Sequence, residues 1–528
     1  MNTRNAYKIR ASRVSSPLNK APVGMAQSSA LPQAKSSYSS KQNYDIGAKT
    51  PMDLNSVCEA LPERSCRHPL TNMRQNAHLA RCEESIKVRF DSITPTLKKL
   101  ANLQHENDFV SKADSVTSKE LGFNFPIELL ETAWVDGLNM KALYAKAVFN
   151  ALNSSIAQFS DDLGRNEDLR VDADSFFLDC GYHSVDITPC SDGRLKGLAK
   201  YILRLPLSAI TVRNSYAGAL FNVESNVRDW EKIELDRLRN GKVLDDGNGY
   251  LKIVVYHRSG SDPSHQGCAA HGSNDKVSAE AGLEKLTEFR EAIENTYCCG
   301  SAIDILLIGV DTDNDSIRVH VPDSAGNISV HRYVDTSELY NETLSMSIDQ
   351  ARVKLYNAID ICSDSSGWAQ GDGRPHEGMR KVVANLLEYN LSQIEYVADL
   401  YGGMYPDIGH AERYISVGDG FQEIQLRNIA YFAHLDTVEE GAADLDIGIK
   451  IFTGLNLNKG LPAPIAIHYR YDSKVPGSRK RLIEKCNRVK NAILNRYKQL
   501  AENNNLYFQI SIQDLPLGSS LEIISEEA

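Results

Sequence analysis

No stretch of this 528-residue chain approaches the roughly 20 consecutive apolar residues that a membrane-crossing helix needs; runs such as 303–310 are far shorter. No secretory leader is expected either: the first 25 residues carry Arg4, Lys8, Arg10, Arg13 and Lys20 with no apolar segment among them. Basic charge is in short supply, with 58 Lys and Arg against 69 Asp and Glu, which argues against a surface built to neutralise nucleic-acid phosphates. The ten cysteines, Cys58, Cys66, Cys82, Cys180, Cys190, Cys268, Cys298, Cys299, Cys362 and Cys486, are too scattered for a disulfide framework. What remains is a chain of ordinary globular composition, 42% hydrophobic and 24% charged, three to four times the usual domain length. A soluble, multi-domain protein with reduced thiols at synthesis is expected.

The net charge of −11 hides an uneven distribution. Residues 1–50 hold eight basic side chains against Asp45 alone, a balance of +7 that leaves −18 for the rest. Rich in Ser, Asn, Gln, Ala and Pro, this arm cannot bury enough apolar surface to offset its chain entropy and is expected to be disordered, either as a simple terminus or as a basic tether for an acidic partner. From 51 to 162 the apolar spacing is helical, most clearly over 127–159, where Leu129, Trp134, Leu138, Leu143, Val148, Leu152 and Ile156 recur every three to five residues. Beyond 163 short apolar runs, 201–205, 251–256 and 303–310, alternate with helical segments such as 278–297, the pattern of strands covered on both faces of an α/β sheet. Segments 318–320 and 328–333 are expected to form a hairpin. After about 410 the middle region recurs: 416–421 resembles 188–194, and 465–470 resembles 253–258. Aligning Asp192 with Asp419 places Val417 opposite Cys190 and Phe421 opposite Arg194, so the second copy loses polar groups that the first possesses.

Those polar groups are where chemistry is expected. Cys190-x-Asp192-x-Arg194 precedes a helical segment; a thiolate there is stabilised by the local dipole and by Arg, as a zinc ligand must be. Asp192 can accept a hydrogen bond from a metal-bound water while Arg194 keeps the carboxylate ionised. Some 67 residues later His257 closes an apolar run and Cys268 follows across a loop. Cys190, His257 and Cys268 make a Cys2His set that leaves one zinc position open for water, and His257 stands at the carboxyl end of a strand, where open α/β sheets bind ligands. Spacing alone does not choose among His257, His265 and His271. Asp311–Asp315 lacks the Gly and Glu of a calcium loop and is read as a polar turn. Gly371–Arg374 is read as a loop, and the cysteines other than Cys190 and Cys268 as packing thiols. The eight Lys and Arg within 474–496 are read as a solvated helix face or an anion site.

These residues resemble a known family. The Cys190, Asp192, Arg194, His257 and Cys268 set resembles the zinc site of β-class carbonic anhydrases. Tyr256-His257, the segment 262–275, Leu306-Leu307-Ile308-Gly309, and Gly409-His410-Ala411-Glu412-Arg413 with 416–420 are similar to the divergent carboxysomal, or ε, branch. The resemblance implies that His257 is the ligand and that His265 belongs to a longer loop. It implies an α/β (α+β) multi-domain fold: a disordered arm (1–50), a helical domain (51–162), a zinc catalytic domain (163–410) and a degenerate, zinc-free copy of it (411–528). It further implies one Zn2+ per chain, CO2 and bicarbonate as substrates, Asp192 and Arg194 as catalytic residues, and His410 as a possible proton relay. The expected setting is the carboxysome lumen at the inner shell, with Rubisco and the shell bound through the arm, a homodimer or higher oligomer, and neither nucleic acid nor membrane as partner. An anionic metabolite on the C-terminal domain is a further expectation. The alternative is a scaffold in which zinc only stabilises the fold.

Overall fold

The structure is a computed structural model. It describes residues 64 and 66–527 apart from 132, 134–136, 166–172, 206–209, 213–214, 243–248, 298–302, 364–375, 422–423, 436–441 and 516–518. The basic arm, Cys58, Trp134, the Cys298-Cys299 pair and the segment 371–374 lie outside the described residues.

The helical spacing of the first region becomes helices Met73–Asp91, Ile93–Leu103, Phe109–Glu120 and Met140–Arg165. Asn72 starts the first, its side-chain oxygen accepting the Gln75 N–H at 3.2 Å. The helical pattern over 127–159 is interrupted: Ile127–Leu129 is one 3-10 turn, Gly137 takes φ +76°, and the Asn139 side chain caps a new helix by accepting the Ala142 N–H at 3.1 Å. Its apolar stripe of Leu143, Ala147, Ala151 and Leu152 packs into a core shared with Tyr414, Ile424, Ala430 and Ala466. The helical region is therefore fastened to the C-terminal half of the chain.

Two sheets follow. The first has strands β1 (Tyr182–Pro189), β2 (Ile210–Val212), β3 (Gly249–Arg258), β4 (Ile303–Asp311), β5 (Ile317–His320) and β6 (Val334–Asp335), in the order β2-β1-β3-β4-β5-β6. The first four are mutually parallel; β5 runs antiparallel to β4, and β6 antiparallel to β5. Every residue of β3 is buried, as a strand covered by helices on both faces requires. One cover contains Leu355, Val383 and Leu387 of helices Ile348–Ser363 and Glu377–Tyr401; the other contains Leu286, Phe289 and Ile293 of helix Asp275–Tyr297. The second sheet has β7 (Tyr414–Gly418), β8 (Ala430–Ala433), β9 (Ala463–Tyr471), β10 (Leu506–Asp514) and β11 (Glu522–Glu526), in the order β11-β10-β9-β7-β8 with only β11 antiparallel. Read from the other edge, β8-β7-β9-β10-β11 repeats β2-β1-β3-β4-β5. The internal repeat is a repeat of topology.

Two local expectations change. Residues 201–205 are not a strand: Leu198–Ile202 is a π turn, with the Tyr201 and Ile202 N–H groups both donating to the Gly197 carbonyl, and Arg204 follows at φ +49°. The partner of β5 is β6, pairing Arg318 with Asp335 and Val319 with Val334, rather than 328–333. Ile328 and Val330 instead pack their side chains against the core beside helix Asp275–Tyr297.

Inside the first sheet, Lys252 on β3 is wholly buried and donates to Asp186 at 2.6 Å, Asn226 at 2.7 Å and Thr188 at 2.9 Å; Asp186 also accepts the Tyr250 hydroxyl at 2.7 Å. Removing one member of such a pair strands a charge in the core. Lys252→Met is expected to destabilise the protein by about 3–5 kcal/mol, read as a lower urea midpoint, and Lys252→Met with Asp186→Leu to recover part of that loss.

Candidate metal centre

β1 and β3 are adjacent and parallel, and the connections leaving them run to opposite sides of the sheet, so the crevice at their carboxyl ends is a topological switch point. Cys190 directly follows β1, its N–H donating to the Val255 carbonyl at 3.1 Å, and His257 is the penultimate residue of β3. Cys268 comes from the loop after β3, immediately before the 3-10 turn Ala269–His271. One ligand atom from each of Cys190, His257 and Cys268 lies within 4.8 Å of the others, and none of the three residues is more than 6% exposed. The two sulfurs are 3.9 Å apart. Zn–S bonds of about 2.3 Å in a tetrahedron place two sulfurs about 3.8 Å apart, so the donor set fits zinc. His265 is turned away: its ring is exposed and pairs with Asp262 at 2.8 Å.

The charges around the sulfurs make the same point. The Cys268 hydrogen bond, then burial, push the Cys190 thiol well above its ordinary pKa, while the Cys190 contact holds the Cys268 thiol below its own. The pair thus accommodates one negative charge readily, and a second thiolate needs a cation beside it.

Arg194 organises the neighbouring carboxylate. Its Nε and backbone N–H both donate to Asp192 Oδ1 at 2.9 Å, and its Nη2 to Oδ2 at 2.7 Å. The remaining nitrogen, Nη1, donates to the carbonyls of Gln266 at 2.8 Å and Ile408 at 2.9 Å. Burial opposes ionisation of Asp192, but the charges of Arg194 and His257, the Arg194 hydrogen bonds and the charge of His410 outweigh it and hold the carboxyl well below the usual range. Asp192 Oδ2 lies 3.2 Å from His257 Nε2, which places an acceptor-only oxygen against the metal position. Asp192 also reaches His410 and Glu412, but its oxygens are committed to Arg194, and Glu412 Oε1 accepts the Gly193 N–H at 3.3 Å and sits 2.9 Å from His410 Nδ1. That second cluster is a hydrogen-bonded network rather than a second metal cage.

Comparison with known proteins agrees with this geometry. Residues 68–160, 172–410 and 411–528 match, in turn, the N-terminal, catalytic and C-terminal domain models of carboxysome shell carbonic anhydrase. The carboxysome shell carbonic anhydrase of Halothiobacillus neapolitanus is 52% identical over 93% of this chain and 96% of its own length. Those of Prochlorococcus marinus (strain MIT 9313) and Hydrogenovibrio crunogenus are 45% and 43% identical, over 87% and 82% of this chain and 90% and 82% of theirs. The chain belongs to the carboxysome shell carbonic anhydrase family.

Within this carbonic anhydrase the second sheet shows what the site has lost. β1 pairs Pro189 with Val255, two residues before His257; β7 pairs Ser416 with Ala466, two residues before His468. On this register Val417 stands for Cys190, Asp419 for Asp192, Phe421 for Arg194 and His468 for His257. Side-chain contacts support it: Arg194 Nη2 lies 3.4 Å from His257 Nε2, and the Phe421 ring stacks on His468 with centroids 4.5 Å apart. The loss of polar groups expected from the sequence is thus partial, since Asp419 and His468 persist. His468 is fully buried and burial lowers its pKa to about 3, so it is a neutral core residue.

Three contributors, Glu412, Asp311 and Asp313, were given no role at the site by the sequence. Glu412 follows His410 closely but lies 219 positions from Gly193, whose absent side chain leaves room for it: a Cβ there would sit 2.5 Å from Glu412 Cγ. Asp311 and Asp313, read as a polar turn, clamp the turn after His257: Asp311 pairs with Arg258 at 3.0 Å and Asp313 accepts the Ser259 hydroxyl at 2.9 Å. Of the cysteines read as packing thiols, Cys180, Cys362 and Cys486 are buried, whereas Cys66 is exposed. Metal analysis of purified variants distinguishes the candidate histidines: His257→Ala and Cys268→Ser are expected to lose zinc, and His265→Ala to retain it.

Proposed function

We propose that this carbonic anhydrase holds one zinc ion on Cys190, His257 and Cys268 and interconverts bicarbonate and CO2 inside the carboxysome, delivering CO2 to Rubisco. The observation that carries the reading is the buried Cys190–Cys268 sulfur pair at 3.9 Å, with His257 beside it and the Asp192–Arg194 fork against the same point. Zinc held by these three residues would supply Lewis acidity and lower the pKa of a coordinated water towards about 7. The residues do the rest. Asp192, held ionised by Arg194, would accept a hydrogen bond from a water at that point and fix its orientation. Phe421 and Phe432 of the C-terminal half, with Ile187, Leu195 and Leu198, wall a cavity that also touches Cys190 and Asp192; its lining is mainly apolar, which suits CO2, and includes Lys196 and Asp419.

Proton export falls to His410. Burial opposes its protonation, but the Asp192 charge and the Glu412 hydrogen bond and charge outweigh it and raise its pKa above the ordinary value. Its side chain is 29% exposed, so the ring bridges the buried carboxylates and solvent. Glu412 orients the ring by accepting from Nδ1.

The reading places the domain limits near 162 and 410, and makes residues 1–50 the tether to Rubisco and the inner shell: a basic, Ser-rich arm suits an acidic assembly. It includes a homodimer or larger oligomer. An anionic metabolite at helix Ser478–Arg496 is its least supported element, because Arg479, Lys490 and Arg496 already pair with Glu522, Glu527 and Asp446. A scaffold with purely structural zinc would need a fourth protein ligand, and the described group has three.

Stopped-flow CO2 hydration tests the roles. Asp192→Asn is expected to keep its zinc and lose about 100-fold or more in kcat/KM. His410→Ala is expected to slow turnover in dilute buffer and to recover in concentrated imidazole, because only proton export is impaired. Deleting residues 1–50 is expected to leave hydration intact and to reduce encapsulation; packaging at the full level would refute the tether.

A further inference from the structure

Resting on the Cys2His reading of the site, one residue outside the ligand set acquires a role. His271 was one of three candidate ligands, yet its ring is engaged elsewhere: Nε2 lies 3.1 Å from the Gly218 carbonyl oxygen. A carbonyl only accepts, so Nε2 carries the proton and donates it. Gly218 in turn donates its backbone N–H to Cys190 Sγ at 3.3 Å. His271 also closes the 3-10 turn Ala269–His271 that Cys268 begins, and its own N–H donates to the Cys268 carbonyl at 3.0 Å. One imidazole therefore joins the turn that carries one sulfur to the turn that caps the other.

The two turns are built for close approach. Gly218 sits at φ +69°, and a Cβ there would lie 2.6 Å from His271 Nε2 and 2.9 Å from Ala270 Cβ. Only glycine meets both demands. Gly272, at φ +61°, ends the facing turn just after His271.

We propose that His271 is a positioning residue for the metal centre: by clamping the Gly218 carbonyl it keeps the Gly218 N–H on Cys190 Sγ and holds the Cys190 and Cys268 turns at ligating separation. An N–H donor on a thiolate withdraws part of its charge, so the sulfur gives less to the metal and the metal stays a stronger Lewis acid. With two thiolates in the ligand set, that restraint favours a reactive water at neutral pH.

The test uses the full chain with cobalt(II) in place of zinc, whose thiolate-to-metal charge-transfer band reports charge on the sulfurs. His271→Ala is expected to shift the band to lower energy and to weaken zinc binding about 10–100-fold in competition with a chelator. His271→Gln, which retains an N–H donor, is expected to restore both towards the parent values; Gly218→Ala is expected to behave like His271→Ala. A band and affinity unchanged in His271→Ala overturn the proposal, as does a glutamine variant no better than alanine. Absence of the band from the parent chain would instead overturn the thiolate site itself, and the clamp with it.

Discussion

The site depends on one buried arginine. Arg194 spends its donors in two directions: Nε and Nη2 grip Asp192, while Nη1 ties down the carbonyls of Gln266, in the loop that carries Cys268, and Ile408, just before His410. The guanidinium is about 1% exposed, and such a charge is tolerated only where its hydrogen bonds are met and an anion is paired with it. The pairing also serves Asp192, which stays an ionised acceptor despite its burial. The loop before Cys268, the Asp192 carboxylate and the segment before His410 are thereby registered to one another by a single planar group.

The second half of the chain shows the same frame without that group. β7 and β9 place Asp419 and His468 as β1 and β3 place Asp192 and His257, but Phe421 replaces the arginine and Val417 the cysteine. With valine at the cysteine position and phenylalanine at the arginine position, the half retains the fold's packing and lends Phe421 and Phe432 to the cavity that touches Cys190 and Asp192. Topology survives such losses because strand order rests on continuous apolar runs, which both halves keep; the metal site rests on a few side chains, which one half lacks.

How much could be read in advance follows the same division. Cys190-x-Asp192-x-Arg194 is local: Cys190 follows β1 directly, Asp192 caps the next 3-10 turn, and Arg194 lies within that turn. The separation of His257 from Cys268 was ambiguous against His265 and His271, and only the backbone decides: β3 carries His257 to the crevice, the loop leaves His265 in solvent, and the turn aims His271 at Gly218. Residues 201–205 are as apolar as a strand, but burial alone does not separate a strand from a buried helical turn. The alignment of 465–470 with 253–258 by apolar character set His468 opposite Tyr256, one residue out. A shift of one turns a strand's side chains to the opposite face, and the ladder pairing shows His468 in the His257 position. Glu412 stands in the motif 409–413, but its contact with Gly193, across more than two hundred residues, leaves no trace in local spacing.

The central claim is that one half of a duplicated fold works through one metal ion. The most direct measurement removes metal from the purified chain and returns zinc in known amounts while CO2 hydration is followed by stopped flow. The account predicts activity that rises in proportion to bound zinc and stops rising at one ion per chain. Full activity without zinc, or a rise that continues to two ions per chain, would contradict it.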